Sequence, residues 1–166
     1  MPSVKPMPFT FLLWHCLRPG QTSVGAGKVR AFFERENDEC VLVFDLDNDH
    51  FRKEFEVDED EKRVCDHLFF HKKAEGPPTL VFVELKGSDV KHGITQLRST
   101  IEMMRRRLPK YAGRDLVAVV VTSGGAPRNL DDLCEDFWKA LTVRLHVKRG
   151  KVDLRSLLPR TPSAAE

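Results

Sequence analysis

The sequence lacks a large net charge, because its 166 residues carry 27 lysines and arginines against 25 aspartates and glutamates. A protein that coats nucleic acid by bulk charge needs a marked excess of basic residues. That class is therefore excluded, and any contact with phosphates must come from a local patch. The chain is long enough to bury one hydrophobic core, which favours a single domain.

The sequence also lacks a C-x-x-C pair and any apolar run long enough to span a membrane. The four cysteines lie far apart, at Cys16, Cys40, Cys65 and Cys134. This spacing is typical of reduced thiols in the cytoplasm rather than of a disulfide framework or a structural zinc site. The apolar run at residues 9–14 is too short for a signal-peptide core. We therefore predict a cytoplasmic protein with no membrane partner.

The two chain ends have the composition of mobile segments. Residues 1–8 are rich in proline, and residues 159–166 are rich in proline, serine and alanine. We predict that both ends are mobile and that residues 9–158 form one domain.

The first half of the domain is predicted to hold one helix and three strands. In residues 23–37, Val29, Phe32 and Phe33 have the spacing of one face of a short helix. Strands are predicted from apolar or alternating runs at 40–46, 51–57 and 63–71. We expect the first two strands to pair across a turn, and residues 58–62 to form a charged turn.

The second half is predicted to alternate strands and helices. Residues 80–86 form an apolar strand, and Ser88 or Asp89 can cap the helix that follows. The apolar stripe of this helix consists of Val90, Ile94, Leu97, Ile101, Met104 and Leu108. Residues 115–123 predict a strand covered by helices, Asn129 caps a second helix, and residues 142–154 predict a strand with a short return. This is an α/β domain with a mixed sheet.

Two ligand-binding patterns fail at a required position. Residues 45–56 place acids as in a calcium loop, but His50 stands where the turn requires glycine. In GQTSVGAGKV the first glycine of a phosphate loop is missing, and Val29 follows Lys28 where serine or threonine is required. Zinc binding by Cys65, His67 and His71 stays an alternative, although a fourth ligand at suitable spacing is missing.

A hairpin between residues 63–71 and 80–86 would bring two carboxylates together. Side chains alternate along a strand, so each strand has one face that carries apolar residues and an acid. This face consists of Asp66, Leu68 and Phe70 on the first strand, and of Leu80, Phe82, Glu84 and Lys86 on the second. If the apolar residues pair with each other, Asp66 lies opposite Glu84, and a shift of one residue would expose the apolar set.

Two facing carboxylates repel each other unless a cation lies between them. Mg²⁺ characteristically binds one or two carboxylates together with water and phosphate. Lys86, on the same face, would then orient or polarise a metal-bound water. The alternative is a surface cluster in which Lys86 only neutralises one of the acids, and the spacing alone supports both interpretations equally.

Cys65-Asp66 followed by Glu84-Leu85-Lys86 resembles the signature of the PD-(D/E)XK phosphodiesterase superfamily of restriction-endonuclease-like nucleases. Its members have a helix, a three-strand meander, a further helix and a further strand, with an Asp near one strand start and (D/E)-x-K on the next strand. The resemblance covers about residues 23–123. It implies a restriction-endonuclease-like core, in which helices flank a mixed β-sheet made of an antiparallel meander and a central strand.

The resemblance implies a Mg²⁺-dependent nuclease in which Mn²⁺ substitutes for Mg²⁺. Asp66 and Glu84 would hold the metal, and Lys86 would position or activate the attacking water. The family also implies a metal-supporting glutamate on the first helix, for which we favour Glu36. Gln96 matches a glutamine of exonuclease-type members, although Thr100 replaces the tyrosine that those members carry.

A nuclease must also bind a phosphate backbone. The candidates are Lys91, Arg98, the arginines at 105–107, Arg144, His146, Lys148, Arg149 and Lys151. Among them, Arg144, His146 and Lys148 form the better patch, because they align on one face of a strand. We expect DNA rather than RNA as substrate, and a homodimer or a subunit of a larger assembly as the active form. A role as a defence-system effector follows only by analogy with the fold. The alternative function is a non-catalytic module of the same fold that binds nucleic acid or protein.

Overall fold

The computed structural model describes residues 9–57, 64–107 and 115–160. The elements in chain order are α1 (Phe9–His15), β1 (Ser23–Ala26), β2 (Val29–Phe32), β3 (Glu39–Asp45), α2 (Asp49–Glu54), β4 (His67–Lys73), β5 (Thr79–Lys86), α3 (Val90–Arg107), β6 (Asp115–Thr122), α4 (Leu130–Leu141), β7 (Arg144–Arg149), β8 (Lys151–Asp153) and a 3₁₀ helix (Leu154–Leu157). The predictions for residues 1–8, 58–62 and 161–166 lie outside the described residues.

Five strands form a mixed sheet in the order β3-β4-β5-β6-β7. The strands β3, β4 and β5 form an antiparallel meander, whereas β5, β6 and β7 run parallel. Parallel neighbours need long crossover connections, which α3 and α4 provide here. The predicted α/β class and mixed sheet are therefore confirmed.

The five-stranded sheet is buried on both faces, by helices on one and by a second sheet on the other. The helical face includes Phe82, Val120, Leu97 and Phe137 in one apolar cluster. The other face packs valines such as Val121 against β2 and β8 of a three-stranded sheet, ordered β1-β2-β8. The prediction that helices cover β6 on both faces is wrong, since a sheet covers one of them. Within the described residues, no helix combines the length and apolarity required to cross a bilayer.

The predicted helix at residues 23–37 is wrong, because this segment forms the hairpin of β1 and β2. Gly27 adopts a φ of 60° at the first position of the two-residue loop, as in a type II′ turn. Burial alternates along β2, where Val29 and Ala31 are buried and Arg30 is exposed. The segment forms a strand because β8 pairs with β2, and because glycine weakens a helix by about 1 kcal/mol per residue.

The predicted strand at residues 51–57 is also wrong, because it begins within α2. The Asn48 side chain caps this helix by accepting a hydrogen bond from the Phe51 N–H at 2.9 Å. Phe51 and Phe55 stack at a centroid distance of 4.2 Å. Their spacing of four residues fits both a strand and a helix, so the sequence pattern was ambiguous. The strand β3 pairs with β4 instead.

The structure confirms the register of the hairpin that joins β4 and β5. Leu68 pairs with Phe82, and Phe70 pairs with Leu80. The strand β4 begins at His67, four residues later than predicted, so Asp66 immediately precedes it. The helix predicted after β5 is also confirmed, and Asp89 caps it by accepting a hydrogen bond from the His92 N–H. The short return after β7 is present as β8, which joins the smaller sheet.

Candidate active site

The candidate site lies where the hairpin of β4 and β5 ends. The Asp66 N–H donates a hydrogen bond to Glu84 Oε2 at 3.0 Å, and the Leu85 N–H donates one to Asp66 Oδ2 at 2.8 Å. The Asp66 carbonyl also accepts a hydrogen bond from the Leu46 N–H at 3.0 Å. The backbone of neighbouring segments therefore fixes both carboxylates in place.

Lys86 forms an ion pair with Glu84. Its Nζ lies 2.9 Å from Glu84 Oε1, and the exposed fraction of the side chain is 1% for Glu84 and 21% for Lys86. The glutamate is thus almost fully buried, whereas the ammonium group of the lysine reaches solvent. This direct pair is the contact described by the alternative interpretation of the sequence, in which Lys86 neutralises one of the acids, although Glu84 is buried rather than at the surface.

Burial raises the pKa of both carboxyl groups. Burial raises the pKa of Glu84 to about 7 and the Asp66 charge adds to this shift, while the bond from Lys86 opposes it. Burial likewise raises the pKa of Asp66, although the hydrogen bond from Leu85 and the charges of His67 and Lys86 lower it in part. A second cation would relieve this repulsion, so the pair has the chemistry of a divalent metal site.

Helix α3 packs directly against this pair at Gly93. A Cβ atom at position 93 would lie 3.1 Å from Lys86 Cγ and 3.2 Å from Glu84 Cγ. Both contacts are tighter than those that side chains normally tolerate. The absence of a side chain at Gly93 therefore allows α3 to approach the two charged residues.

The next turns of α3 hold the backbone that leads into Asp66. Gln96 Nε2 donates to the Val64 carbonyl at 3.2 Å, and Thr100 Oγ1 accepts from the Cys65 N–H at 2.8 Å. Both side chains are buried. Gln96 was predicted as a catalytic residue, and the structure places its amide nitrogen on the backbone preceding Asp66.

Sequence reasoning missed Gly93 as a site residue and treated Thr100 only as a departure from a family motif. One usable signal was present, since a glycine inside a long, strongly periodic helix often marks a close approach of another element. The hydrogen bond of Thr100 to residue 65 joins positions 35 apart in the chain, and no local pattern reports such a contact.

Two further acids lie at the same end of the sheet. Asp45 pairs with His67 across β3 and β4, and the charge of Asp47 raises the pKa of Asp66. Arginines neutralise both acids, since Arg18 Nη2 bonds to Asp45 and Arg52 Nη2 lies 2.6 Å from Asp47 Oδ1. Asp45 and Asp47 therefore have cationic partners of their own, whereas Asp66 and Glu84 are close to a single lysine of the described residues, Lys86.

The structure does not bring Glu36 to the carboxylate pair. Glu36 lies in a connecting segment rather than on a helix, and its Oε1 is 3.3 Å from Arg155 Nε. Arg155 also binds Glu39. In the sheet, Glu39 is the strand neighbour of Lys73, which lies at the end of β4 that is distant from Asp66. The prediction that Glu36 lies on the first helix is therefore wrong, because residues 23–37 contain the β1–β2 hairpin.

The predicted phosphate-binding residues divide between two places. Lys91 is exposed in the first turn of α3, two residues before Gly93 and on the opposite side of the helix. Arg144, His146 and Lys148 share one face of β7, as predicted. This face is opposite to that of Glu84, because Lys148 pairs with Val121, which faces the three-stranded sheet, whereas Glu84 pairs with Val120, which faces the helices.

The alternative zinc trio does not converge on one point. His71 binds Glu39 at 2.7 Å, and the Cys65 thiol lies 3.7 Å from the His67 carbonyl oxygen. No group of three or more His, Cys, Asp or Glu side chains in residues 9–57, 64–107 and 115–160 is arranged to hold a metal ion. Asp66 and Glu84 still fit Mg²⁺, which accepts one or two carboxylates and completes its coordination with water and phosphate.

Comparison with protein-family models, with curated proteins and with solved structures finds no significant match. The function of the chain is therefore inferred from the geometry and chemistry of the carboxylate pair and from the motif formed by Asp66, Glu84 and Lys86.

Proposed function

We propose that this protein is a metal-dependent phosphodiesterase that hydrolyses nucleic acid. The observation that carries the proposal is the pair of carboxylates, the half-buried Asp66 and the buried Glu84, joined through the backbone and flanked by Lys86. Perturbed acids grouped with a lysine at a strand end are typical of functional sites. The arrangement agrees with the motif order of the PD-(D/E)XK superfamily.

Backbone N–H groups bind Glu84 Oε2 and Asp66 Oδ2, and Lys86 Nζ lies 2.9 Å from Glu84 Oε1. A cation bound by both acids would use Asp66 Oδ1 and Glu84 Oε1, and it would have to displace Lys86 from Glu84. When bound there, Mg²⁺ would supply the positive charge that polarises a phosphate and lowers the pKa of a bound water. Lys86 is partly exposed, so its ammonium group can donate a hydrogen bond to that water or to a phosphate oxygen beside Glu84.

Support for a restriction-endonuclease-like core comes from the order of elements. The meander of β3, β4 and β5, then α3 and β6, follow one another as in that superfamily, and α1 precedes them. The β1–β2 hairpin and α2 are additions to that order. We propose DNA as the substrate and a homodimer or a larger assembly as the active form.

The proposal is tested by incubating the protein with plasmid DNA, linear DNA and RNA, with Mg²⁺, with Mn²⁺ and with EDTA. We expect cleavage with either metal, none with EDTA, and loss of cleavage in Asp66→Asn and Lys86→Ala. Lys73→Ala, an exposed lysine at the far end of β4, is the matched control and should remain active.

Two results would contradict the proposal. Cleavage that persists in EDTA and in Lys86→Ala would exclude the proposed chemistry. Absence of cleavage of every substrate, together with absence of Mn²⁺ binding by calorimetry, would favour the non-catalytic module.

A further inference from the structure

Two turns of the chain together form a second charged feature, which we name the basic patch. It consists of Lys28, Arg30, Lys148, Arg149 and Lys151, all of which are exposed. Lys28 lies in the β1–β2 turn, and Arg149 and Lys151 flank the glycine of the β7–β8 turn. Lys148, Arg149 and Lys151 are among the phosphate-binding candidates of the sequence, whereas Lys28 and Arg30 are not.

Backbone pairing brings these two distant segments together. The Arg30 N–H donates a hydrogen bond to the Gly150 carbonyl at 3.0 Å. Arg30 is also the direct neighbour of Lys151 in the parallel pair of β2 and β8. Because paired residues project from the same face of a sheet, these two cations lie side by side on the outer surface of the smaller sheet.

Two acids border the basic patch, Glu34 beside Arg30 and Asp153 beside Phe32, but neither forms an ion pair with its five cations in the described residues. Residues 23–33 and 137–152 contain no aspartate or glutamate. Within the described part of the chain, none of the five cations forms an ion pair. In contrast, other basic residues bind carboxylates, namely Arg18, Arg52, Lys86, Arg98, Arg107, Lys139 and Arg155.

One residue of the basic patch, Arg149, lies on the same face of the five-stranded sheet as the carboxylate site, whereas Lys148 lies on the opposite face. Lys86 pairs with Thr122, and Thr122 pairs with Arg149. Adjacent strands lie about 4.8 Å apart, so the Cα atoms of Lys86 and Arg149 are separated by about 10 Å, with both side chains on the same face. The Gly150 N–H donates to the Thr122 carbonyl at 2.9 Å, which fixes the β7–β8 turn at this end of the sheet.

A shallow groove of about 440 Å³ continues from Lys151 across the smaller sheet. Its lining includes three cations, Arg30, Arg35 and Lys151, and one acid, Glu34, together with Phe32 and Ser23. The Arg30 guanidinium lies over the Phe32 ring at 5.8 Å and donates to Ser23 Oγ at 2.6 Å. Cations beside an aromatic ring are typical of surfaces that follow a nucleic-acid strand.

We infer that the basic patch binds the phosphate backbone of the nucleic-acid substrate and leads it past Arg149 to Asp66 and Glu84. The identity of the ligand rests on the proposed function. The new element is the location of the binding surface. It lies on the smaller sheet and on the turn between β7 and β8, and does not include Arg144 and His146.

The test measures the binding of three fluorescein-labelled ligands, namely a DNA duplex, single-stranded DNA and RNA. All proteins in the test carry the Lys86→Ala substitution, and all buffers contain EDTA, so that cleavage does not interfere with the binding measurement. For a duplex, the slope of log K against log salt concentration changes by about 0.9 for each phosphate contact. We expect Arg30→Gln with Lys151→Gln to weaken binding and to reduce the slope by about 1.8 between about 50 and 200 mM salt. The control, Lys72→Gln with Lys73→Gln, should leave the slope unchanged.

The outcomes separate this inference from the proposed function. An unchanged slope in the Arg30 and Lys151 variant, or an equal change in the control, would overturn the inference even if the wild-type protein cleaves DNA. A reduced slope in protein that never cleaves would support the basic patch and refute the hydrolytic function. Binding to phosphatidylserine vesicles but to no nucleic acid would assign the patch to a membrane surface and overturn the inference.

Discussion

Asp66 and Glu84 are linked by two reciprocal hydrogen bonds between the ends of β4 and β5. The N–H of Asp66 binds the Glu84 carboxylate at 3.0 Å, and the N–H of Leu85, next to Glu84, binds the Asp66 carboxylate at 2.8 Å. The side chains thus continue the hairpin beyond its last backbone pair, His67 with Val83. Because the carboxylates complete the strand end, we expect metal affinity and local stability to be coupled.

The first prediction concerns stability against pH. The pKa of Glu84 rises from 4.5 in the unfolded chain to about 7 in the folded protein. Between these two values the unfolded chain releases a proton that the folded protein retains, so the free energy of unfolding falls as pH rises. The loss contributed by this group is about 3 kcal/mol in total and is complete above the folded pKa. The raised pKa of Asp66 acts in the same direction.

Urea unfolding near pH 5 and near pH 8, without divalent cations, measures this loss for the wild type and for Glu84→Gln. The variant should lose less stability over this interval, because its amide does not titrate. Saturating Mg²⁺ near pH 8 should stabilise the wild type, by about 2.7 kcal/mol at a hundredfold excess over Kd, and should not stabilise the variant. Equal pH dependence in the two proteins would show that Glu84 is not the titrating group.

The second prediction concerns Gly93. In Gly93→Ala the helix gains about 1 kcal/mol of intrinsic propensity, but the new Cβ presses on Glu84 and Lys86 at 3.2 and 3.1 Å. We expect the free energy of unfolding to change by less than about 1 kcal/mol while Mn²⁺ affinity falls by about tenfold or more. Calorimetric titration measures the affinity, and Thr95→Ala, exposed on the same helix, is the control. Wild-type affinity in Gly93→Ala would mean that α3 does not position the site.

The third prediction concerns Thr100, which accepts the Cys65 N–H. Thr100→Val keeps the shape but leaves this buried donor without its partner, at a cost of about 1–3 kcal/mol of stability. Because Cys65 precedes Asp66, we also expect a loss of Mn²⁺ affinity of about tenfold or more. Thr100→Ser retains the hydroxyl group and should restore both quantities. A variant that loses stability but binds Mn²⁺ normally would limit Thr100 to a structural role.

Local patterns predicted the parts of the fold whose period is unambiguous. The stripe of α3 recurs over four turns, and the register of β4 with β5 follows from the burial of Leu68 and Phe82. A one-residue shift would expose both, so burial selects one pairing. The same register brings Asp66 next to Glu84, as the sequence pattern predicts.

The wrong secondary-structure predictions concern short segments. Their apolar spacing fits both a strand and a helix, or their structure depends on pairing with a strand that is distant in sequence. Phe51 and Phe55 are four residues apart, which suits a strand and a helix alike. The β1–β2 segment became a hairpin because β8 pairs with β2 from more than a hundred residues away. The prediction that Glu36 supports the metal assumed that residues 23–37 form a helix. This helix does not form, so Glu36 does not reach the carboxylate pair.

The last prediction therefore concerns Glu36 and its neighbour Glu39. Glu36→Ala removes one contact from Arg155, but Arg155 keeps its two bonds to the buried Glu39. Since the Glu36 side chain is 45% exposed, we expect a change in the free energy of unfolding of less than about 1 kcal/mol and unaltered Mn²⁺ affinity. Glu39→Gln should instead destabilise the protein by about 3–5 kcal/mol, because it removes the buried charge that Arg155 and His71 face.

The pH dependence of these two variants separates this network from the carboxylate site. Arg155 and His71 lower the pKa of Glu39 to about 2, so its stabilising contribution is present above the unfolded value of 4.5 and is lost as pH falls towards 2. The contribution of Glu39 to stability therefore increases with pH, whereas the contribution of Glu84 decreases with pH. Urea unfolding of Glu39→Gln should therefore show a weaker loss of stability in acid than the wild type, whereas Mn²⁺ titration should show unchanged binding. Reduced Mn²⁺ affinity in Glu36→Ala would contradict this prediction and would indicate that Glu36 contributes to metal binding.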